Sequence, residues 1–328
     1  MSGRCGRSAR HTVSVGAPAS VVYGLLADAP RWPLFLRSCV HAERMDADAR
    51  TDELLVWTCT DDQVRGARLR RTLRPAERTV SFEEFATDAT DATDPASGPG
   101  PQASGTWSVE RDDPAGEGRC LLTLHYERLG PGPFETPQAV ARQVRDQLDQ
   151  VEEIKAAAER WDTFDESLLS LANSARVDGA PELVYDLLHR VGDWPELLPH
   201  VDEATVREDR PGVQRVTLGL GAPPTGEPVT VTSVRLCFPH AGRIVHKEQV
   251  AHELVAAHSG EWSLVPDASG LTVTSTHQVL LRPQALAPGP PVDGAPARLR
   301  VGEWLTGTDR ETLALIKWHA ESPVRRLR

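Results

Sequence analysis

The sequence of 328 residues is short of lysine, of long apolar runs and of paired cysteines. Only Lys155, Lys247 and Lys317 are lysines, and the net charge of −11 argues against a general nucleic-acid binder or a protein held on anionic membrane by charge. No apolar run approaches the roughly 18 residues of a membrane span, and the N-terminal residues lack the apolar segment of a secretory signal. We therefore expect a cytoplasmic protein whose partners include neither nucleic acid nor membrane.

Metal-binding patterns are equally scarce. The five cysteines are odd in number and scattered without a Cys-x-x-Cys pair, which argues against a disulfide framework and against a thiolate zinc site. His246, His252 and His258 recur every six residues, but this spacing suits no zinc-binding helix, and strands and turns would scatter the three side chains. The sequence therefore predicts no metal site.

The chain does contain a long internal repeat. Residues 15–36 read VGAPASVVYGLLADAPRWPLFL and residues 178–198 read DGAPELVYDLLHRVGDWPELL. An arginine four residues before a proline (Arg71, Arg235), a Gly-x-Trp-Ser segment (105–108, 260–263) and an Ile-Lys pair (154–155, 316–317) follow in the same order in both copies. The repeat is far too long for a solenoid unit, so it indicates two duplicated domains, which we place at residues 8–163 and 170–328.

Each copy has the same order of predicted elements. A strand, a Gly-Ala-Pro turn and a short helix come first, several alternating runs broken by Gly, Pro and Asp follow, and a long helix ends the copy. Val144, Val151 and Ile154 belong to the apolar stripe that marks the long helix of the first copy. This order predicts an α+β fold in which an antiparallel sheet curves around one helix and can leave a cavity between them.

These motifs resemble the START-like helix-grip superfamily, and their tandem arrangement is similar to the di-domain aromatase/cyclases of bacterial type II polyketide synthases. The resemblance implies two tandem helix-grip domains and a cofactor-free enzyme. Such an enzyme directs the first-ring aldol cyclisation of an acyl-carrier-protein-bound poly-β-ketone, dehydrates the ring to an aromatic one, or does both. Its partners would be the acyl-carrier protein and other polyketide synthase subunits.

Two arginines are the first candidate catalytic residues. Arg71 shares strand parity with the apolar residues Leu69 and Leu73, and a charged side chain on an inner face is costly unless it is paired or used. The resemblance implies that the arginine at this strand position, Arg71 in the first copy and Arg235 in the second, donates hydrogen bonds to an enolate or ketone oxygen. The structural alternative is an ion pair with a helix carboxylate such as Glu152. Ser233 precedes Arg235 by two residues and matches the Ser-x-Arg of single-domain relatives.

Histidines are the candidates for acid/base catalysis. Single-domain relatives place a tyrosine at positions that Cys39 and Val201 occupy here, and histidine is the natural substitute. We select His246 and His277 for the second cavity and His125, which we align with His277, for the first. The alternative for each is a structural or solvent-facing residue.

Tryptophans could line a slot for a flat, ring-forming substrate, and the alternative for each is core packing. The candidates are Trp32, Trp57, Trp107, Trp194 and Trp262. Two other functions remain open at this point. The protein could be a non-catalytic carrier of hydrophobic ligands with the same fold, or one domain could be catalytic and the other a scaffold.

Overall fold

Each copy of the repeated sequence forms one antiparallel sheet and one long helix. The computed structural model describes residues 7–87, 100–112, 118–129, 137–221, 228–250, 252–268, 270–283 and 296–327. The chain divides into two units, Met1–Asp165 and Glu166–Arg328. The narrower ranges 8–163 and 170–328 stay our prediction of which segments fold as domains.

The first unit contains a seven-stranded sheet in the order β1-β7-β6-β5-β4-β3-β2, with antiparallel neighbours. Its strands are β1 (Arg7–Val15), β2 (Cys39–Ala47), β3 (Thr51–Thr60), β4 (Gln63–Arg74), β5 (Thr79–Thr87), β6 (Ala103–Arg111) and β7 (Cys120–Arg128). Its helices are α1 (Ala19–Ala27) and the long α2 (Pro137–Ala158), with 3-10 turns at Ala29–Leu34 and Trp161–Thr163. The short helix α3 (Phe164–Ser167) follows.

The second unit repeats this architecture with strand order β8-β14-β13-β12-β11-β10-β9. Its strands are β8 (Leu168–Val177), β9 (Val201–Arg210), β10 (Val213–Leu220), β11 (Val229–Phe238), β12 (Arg243–Val250), β13 (Val255–Asp267) and β14 (Gly270–Leu281). Its helices are α4 (Pro181–His189), α5 (Trp194–Leu197) and the long α6 (Ala297–Leu327), with 3-10 turns at Val191–Asp193 and Pro239–Ala241. The predicted α+β fold with two tandem units, each a sheet against a long helix, is confirmed.

Strand alternation decides which side chains can reach a cavity. We call the face of each sheet that packs against its long helix the inner face. In β7, Leu122, Leu124 and Tyr126 are buried in a cluster with Val151 and Ile154 of α2, while the residues between them are more exposed or point away from this cluster. A side chain that reaches a cavity between the sheet and the long helix must therefore lie on the inner face of its strand, as these apolar residues do.

None of the helices in the described part of the chain has the length and apolarity that a membrane-spanning helix requires.

Candidate active site

Arg71 ties the sheet of the first unit to the end of α1. Its Nε and Nη2 donate to the two carboxylate oxygens of Asp52 at 2.8 and 2.6 Å, and its Nη1 and Nη2 donate to the backbone carbonyls of Leu26 and Ala27 at 2.8 and 3.0 Å. The Arg71 and Asp52 side chains are only 1% and 4% exposed. Four hydrogen bonds thus commit the guanidinium to the fold. The structural alternative with Glu152 named the wrong carboxylate, because Asp52 is directly opposite Arg71 on β3.

Arg235 takes the corresponding place in the second unit with a neutral partner. Its Nη1 donates to Oε1 of Gln214 at 2.9 Å and its Nη2 to the backbone carbonyl of Leu188 at 2.7 Å. Gln214 in turn donates from Nε2 to a carboxylate oxygen of Glu208 at 3.1 Å, so the hydrogen bonds link Glu208 to Arg235 through Gln214. Burial lowers the pKa of Arg235 from its ordinary value. The remaining N–H groups of Arg235 have no hydrogen-bond partner among the described residues, which leaves donors for a ligand.

Three histidines meet on the inner face of the second sheet. His246 on β12 is opposite Gly260 on β13, Gly260 is opposite His277 on β14, and His258 precedes Gly260 by two residues. Their ring centroids lie 5.1 to 6.0 Å apart. A Cβ atom at Gly260 would come within 2.6 Å of the His246 ring, so glycine makes room for it. The expectation that strand geometry would scatter the histidines is wrong for His246 and His258, whereas His252 lies in the turn before β13 and is not part of the cluster.

A hydrogen-bonded row runs through this cluster between two carboxylates. Oε1 of Glu248 lies 2.8 Å from Nδ1 of His258, and Nε2 of His258 lies 2.9 Å from Nδ1 of His277. Nε2 of His277 lies 3.1 Å from both carboxylate oxygens of Asp309 on α6. Because carboxylates only accept, they assign the N–H groups to Nδ1 of His258 and Nε2 of His277. The two ring nitrogens that face each other therefore need one shared proton or another cation.

Neighbouring groups shift the pKa values of Asp309 in this row and of His246 beside it. Burial raises the pKa of the Asp309 carboxyl, but the hydrogen bond and charge of His277, with hydrogen bonds from Asn173 and Ser275, outweigh it, so the net shift is downward. Asn173 donates to Asp309 at 2.8 Å, and the Ser275 hydroxyl lies 3.1 Å from Nε2 of His277. Burial, together with its cationic neighbours, lowers the pKa of His246 well below the ordinary value. Asp309 is thus an anion and His246 a neutral imidazole.

Ser233 lies on the same face of β11 as Arg235, as the sequence predicts. It precedes Arg235 by two residues, lies opposite Glu248 on β12 and is half-buried. No described residue hydrogen-bonds to its side chain. It therefore lies beside the histidine cluster without a structural task of its own.

Sequence reasoning missed half of this arrangement. The six-residue spacing includes His258 but predicts no role for it, and the sequence patterns predict none for Glu248, Ser275 and Asp309. The parity of β14 offered one signal, because Ser275 and His277 interrupt a set of buried apolar residues on that strand. No sequence signal brought Asp309, on a helix 32 residues further along, to the same place.

The first unit has no such cluster at the matching positions. The register there places Phe82, Ala103 and Tyr126 where the second unit has its three histidines. His125 is exposed on the other face of β7, so its selection as an acid/base residue of a first cavity is wrong. Its alignment with His277 was displaced by one residue, because the register equates His277 with Tyr126. A one-residue shift moves a strand residue to the opposite face.

Trp32 and Trp194 flank the two arginines. The Cζ atom of Arg71 lies 5.2 Å from the ring centroid of Trp32, and that of Arg235 lies 5.5 Å from the ring centroid of Trp194. Each indole N–H donates to a backbone carbonyl of the preceding helix at 3.1 Å. Both tryptophans are thus held beside their arginine, on the inner side of the sheet.

The other three tryptophans divide between the two faces. Trp107 and Trp262 are buried in the inner-face clusters of their units, which is the core-packing alternative. Trp57 has the opposite parity to Asp52 on β3 and lies near His41, at 5.5 Å between ring centroids. The prediction that Trp57 lines a cavity is therefore wrong, because alternation turns it away from the helix.

Comparison with known proteins agrees with this architecture. The family model described as polyketide cyclase/dehydrase and lipid transport matches residues 15–151 and 177–300. The granaticin polyketide synthase bifunctional cyclase/dehydratase of Streptomyces violaceoruber is 29% identical over 96% of this chain and 94% of that protein. The actinorhodin polyketide synthase bifunctional cyclase/dehydratase of Streptomyces coelicolor is 28% identical over 92% of this chain and 93% of that protein.

Two solved structures are similar along nearly the whole chain. The di-domain aromatase/cyclase StfQ from the steffimycin pathway has a TM-score of 0.77 and 27% identity, with 96% of this chain and 99% of that chain covered. The di-domain aromatase/cyclase BexL from the BE-7585A pathway has a TM-score of 0.76 and 29% identity over the same shares. With both repeats matched by the family model, this chain belongs to the polyketide cyclase/dehydrase and lipid transport family.

Proposed function

We propose that the protein is an aromatase/cyclase that closes a ring in a poly-β-ketone by an aldol reaction and dehydrates that ring to an aromatic one. The observation that carries the proposal is the inner face of the second unit, where Arg235, Ser233 and three imidazoles meet the carboxylate of Asp309. The similarity to relatives named cyclase/dehydratase extends over both units and supports the same reaction class.

The chemistry requires proton transfer and stabilisation of negative oxygen. A base removes a proton from a carbon between two ketones, the resulting enolate carbon attacks a second ketone, and the new alkoxide takes a proton. Loss of a further C–H proton and of the hydroxyl as water gives a conjugated enone, and enolisation of the remaining ring ketones, which moves protons from carbon to oxygen, makes the ring aromatic. Imidazole nitrogens suit the proton transfers, and the N–H groups of Arg235 suit the enolate or alkoxide oxygen.

We assign the chemistry to the second unit and a substrate-binding or scaffolding role to the first. In the first unit Asp52 and two carbonyls take four of the five N–H groups of the arginine, and the histidine positions hold Phe82, Ala103 and Tyr126. At these positions the first unit offers apolar contact and the phenol of Tyr126, whereas the second unit offers three imidazoles. This contrast favours the reading of one catalytic and one supporting domain.

The substrate chemistry points to the partners. A poly-β-ketone is reactive in water and needs a carrier, so we propose that an acyl-carrier protein presents it and that other type II polyketide synthase subunits make it. We place this work in the cytoplasm. No cofactor enters the reaction as written.

Product analysis in a reconstituted polyketide synthase tests the proposal. A minimal synthase with its acyl-carrier protein is supplied with the full chain or with His246→Phe, Asp309→Asn or His125→Ala, each with and without a ketoreductase, and the products are resolved by mass spectrometry. His246→Phe installs the residue of the first unit at the matching position, and His125→Ala is the matched control on the exposed face.

We expect the wild-type chain and His125→Ala to convert shunt products into one dehydrated aromatic product. His246→Phe and Asp309→Asn should each lower that product by about 100-fold or more, the range for losing an acid/base group. If both variants, folded by circular dichroism, give the wild-type product, the second unit does not carry the chemistry. If the wild-type chain changes no product under either condition, the carrier function is the better account.

A further inference from the structure

We propose that the second unit binds one divalent transition-metal ion, with Zn²⁺ the best match, through the imidazoles of His246, His258 and His277. One ring nitrogen from each of the three lies within 4.8 Å of the others. Three neutral nitrogen ligands that leave a further position open are a typical zinc ligand set. Tetrahedral ligands at about 2.0–2.1 Å from an ion lie about 3.4 Å apart, so on binding the His258 and His277 nitrogens, 2.9 Å apart here, would separate and the widest pair, within 4.8 Å, would close.

The hydrogen bonds around the cluster prepare two of the ligands. Nδ1 of His258 faces Glu248 at 2.8 Å and Nε2 of His277 faces Asp309 at 3.1 Å. Histidines that bind a metal usually donate their other ring N–H to a carboxylate in this way, which fixes the tautomer and orients the lone pair. As a result, the lone pairs of Nε2 of His258 and Nδ1 of His277 point at each other across 2.9 Å. A cation between them removes this conflict.

The charges of the site also fit a doubly charged ion. The side chains of Glu248 and Asp309 are only 10% and 4% exposed, and two buried carboxylates need two positive charges for compensation. A proton shared between His258 and His277 would supply one of these charges, while one divalent ion held by three neutral imidazoles supplies both. Arg235, opposite His246 on β11, opposes the cation by its own charge but would favour an anionic oxygen bound to it.

The first unit provides an internal control for this inference. The matching register positions hold Phe82, Ala103 and Tyr126, of which two carry no group that binds zinc. The sequence duplication therefore predicts one ion per chain rather than two. Imidazole ligands favour zinc, copper, iron or nickel over magnesium and calcium, which prefer oxygen.

This inference rests on the proposed function only for what the ion would do there. A bound Zn²⁺ would polarise a ketone oxygen and stabilise the enolate oxygen of the aldol step as a Lewis acid. The three imidazoles would then be ligands rather than the acid/base groups of the proposed reaction. Binding itself is measured without turnover.

Cobalt spectroscopy tests the site directly. The full chain without an affinity tag is freed of metal by chelator dialysis and titrated with Co²⁺, whose visible absorption is strong in tetrahedral coordination and weak in octahedral coordination. Zn²⁺ is then added to displace the cobalt. The variants are His258→Asn and His246→Phe, with Asp309→Asn as a positioning variant and the exposed His240→Asn as the control.

We expect one equivalent of Co²⁺ with tetrahedral bands that Zn²⁺ abolishes, unchanged in His240→Asn and lost in His258→Asn and His246→Phe. Asp309→Asn should keep the bands but bind about 10–100-fold more weakly. The inference is overturned if the folded wild-type chain shows no such bands, or if both ligand variants, folded by circular dichroism, bind cobalt like the wild type. Failure to bind leaves the cyclase proposal standing, and a metal-loaded chain that forms no cyclised product overturns that proposal alone.

Discussion

Replacing Asp52 with alanine should destabilise the first unit strongly. The change leaves the Arg71 guanidinium 1% exposed without its carboxylate, while the carbonyls of Leu26 and Ala27 remain. Removing one partner of a buried ion pair costs about 3–5 kcal/mol, because the other charge stays buried. With two carbonyls still accepting from Arg71, we expect the lower end, about 3 kcal/mol. For a unit of this size that corresponds to a fall in Tm of about 6–12 °C.

The measurement must resolve the two units, because a single midpoint describes neither of them when they unfold separately. Hydrogen exchange read by mass spectrometry on peptides from β3 and β4 reports on the first unit, and peptides from β10 and β11 report on the second. Gln214→Ala is the matched variant in the second unit, where Arg235 loses a neutral acceptor. We expect Gln214→Ala to lower the free energy of unfolding by about 1–2 kcal/mol, because the lost partner is neutral and its removal takes no negative charge away from Arg235.

A double variant isolates the orphaned charge. Asp52→Ala with Arg71→Met removes both ions, so it should recover part of the stability lost in Asp52→Ala alone. A loss below about 1 kcal/mol for Asp52→Ala would mean that this pair behaves like a solvent-exposed ion pair, and the reasoning would fail. The reasoning would also fail if the stability lost in the double variant equalled the sum of the losses in Asp52→Ala and Arg71→Met alone.

Two further predictions concern packing and thiol chemistry. Gly260→Ala should displace the His246 ring, because the new Cβ would lie 2.6 Å from it, and we expect a loss of about 1–3 kcal/mol in denaturant unfolding. The control is Gly24→Ala in α1, where a Cβ would meet nothing within 4 Å, and it should be neutral or stabilise the protein by up to about 1 kcal/mol. Equal effects of the two substitutions would contradict the steric argument. Burial raises the pKa of Cys120 and of Cys237 to about 11 each, so at pH 8 only about one thiol in a thousand is ionised and both should resist iodoacetamide until the protein unfolds. Rapid alkylation of either thiol in the native chain, located by peptide mapping, would contradict this prediction.

The duplication and the fold class followed from the sequence alone. Ordered matches between the copies reflect local rules that each copy obeys independently, such as a proline at the start of a short helix and an apolar stripe on the long one. The parity of Arg71 among the apolar residues of β4 also placed its side chain inward, as the structure confirms. Such local patterns repeat every two or every 3.6 residues, and they can be read without knowing which strands pair.

Side-chain partners followed from the tertiary structure instead. How many N–H groups of an inward arginine are already bonded depends on the residue opposite it on another strand, which is Asp52 in one unit and Gln214 in the other. An alignment error of one residue put His125 on the wrong face, because strand alternation turns every such error into a reversal.

The sequence by itself determined two α+β units of one family and an inner face that carries an arginine in each. Only the tertiary structure decided that the second unit alone gathers His246, His258 and His277 with Asp309. Hairpin register brings three strands and one helix together at that point, across separations in sequence that no local periodicity spans. The physical reason is that local propensities set the elements, while pairing register and the packing of α6 set which of their side chains meet.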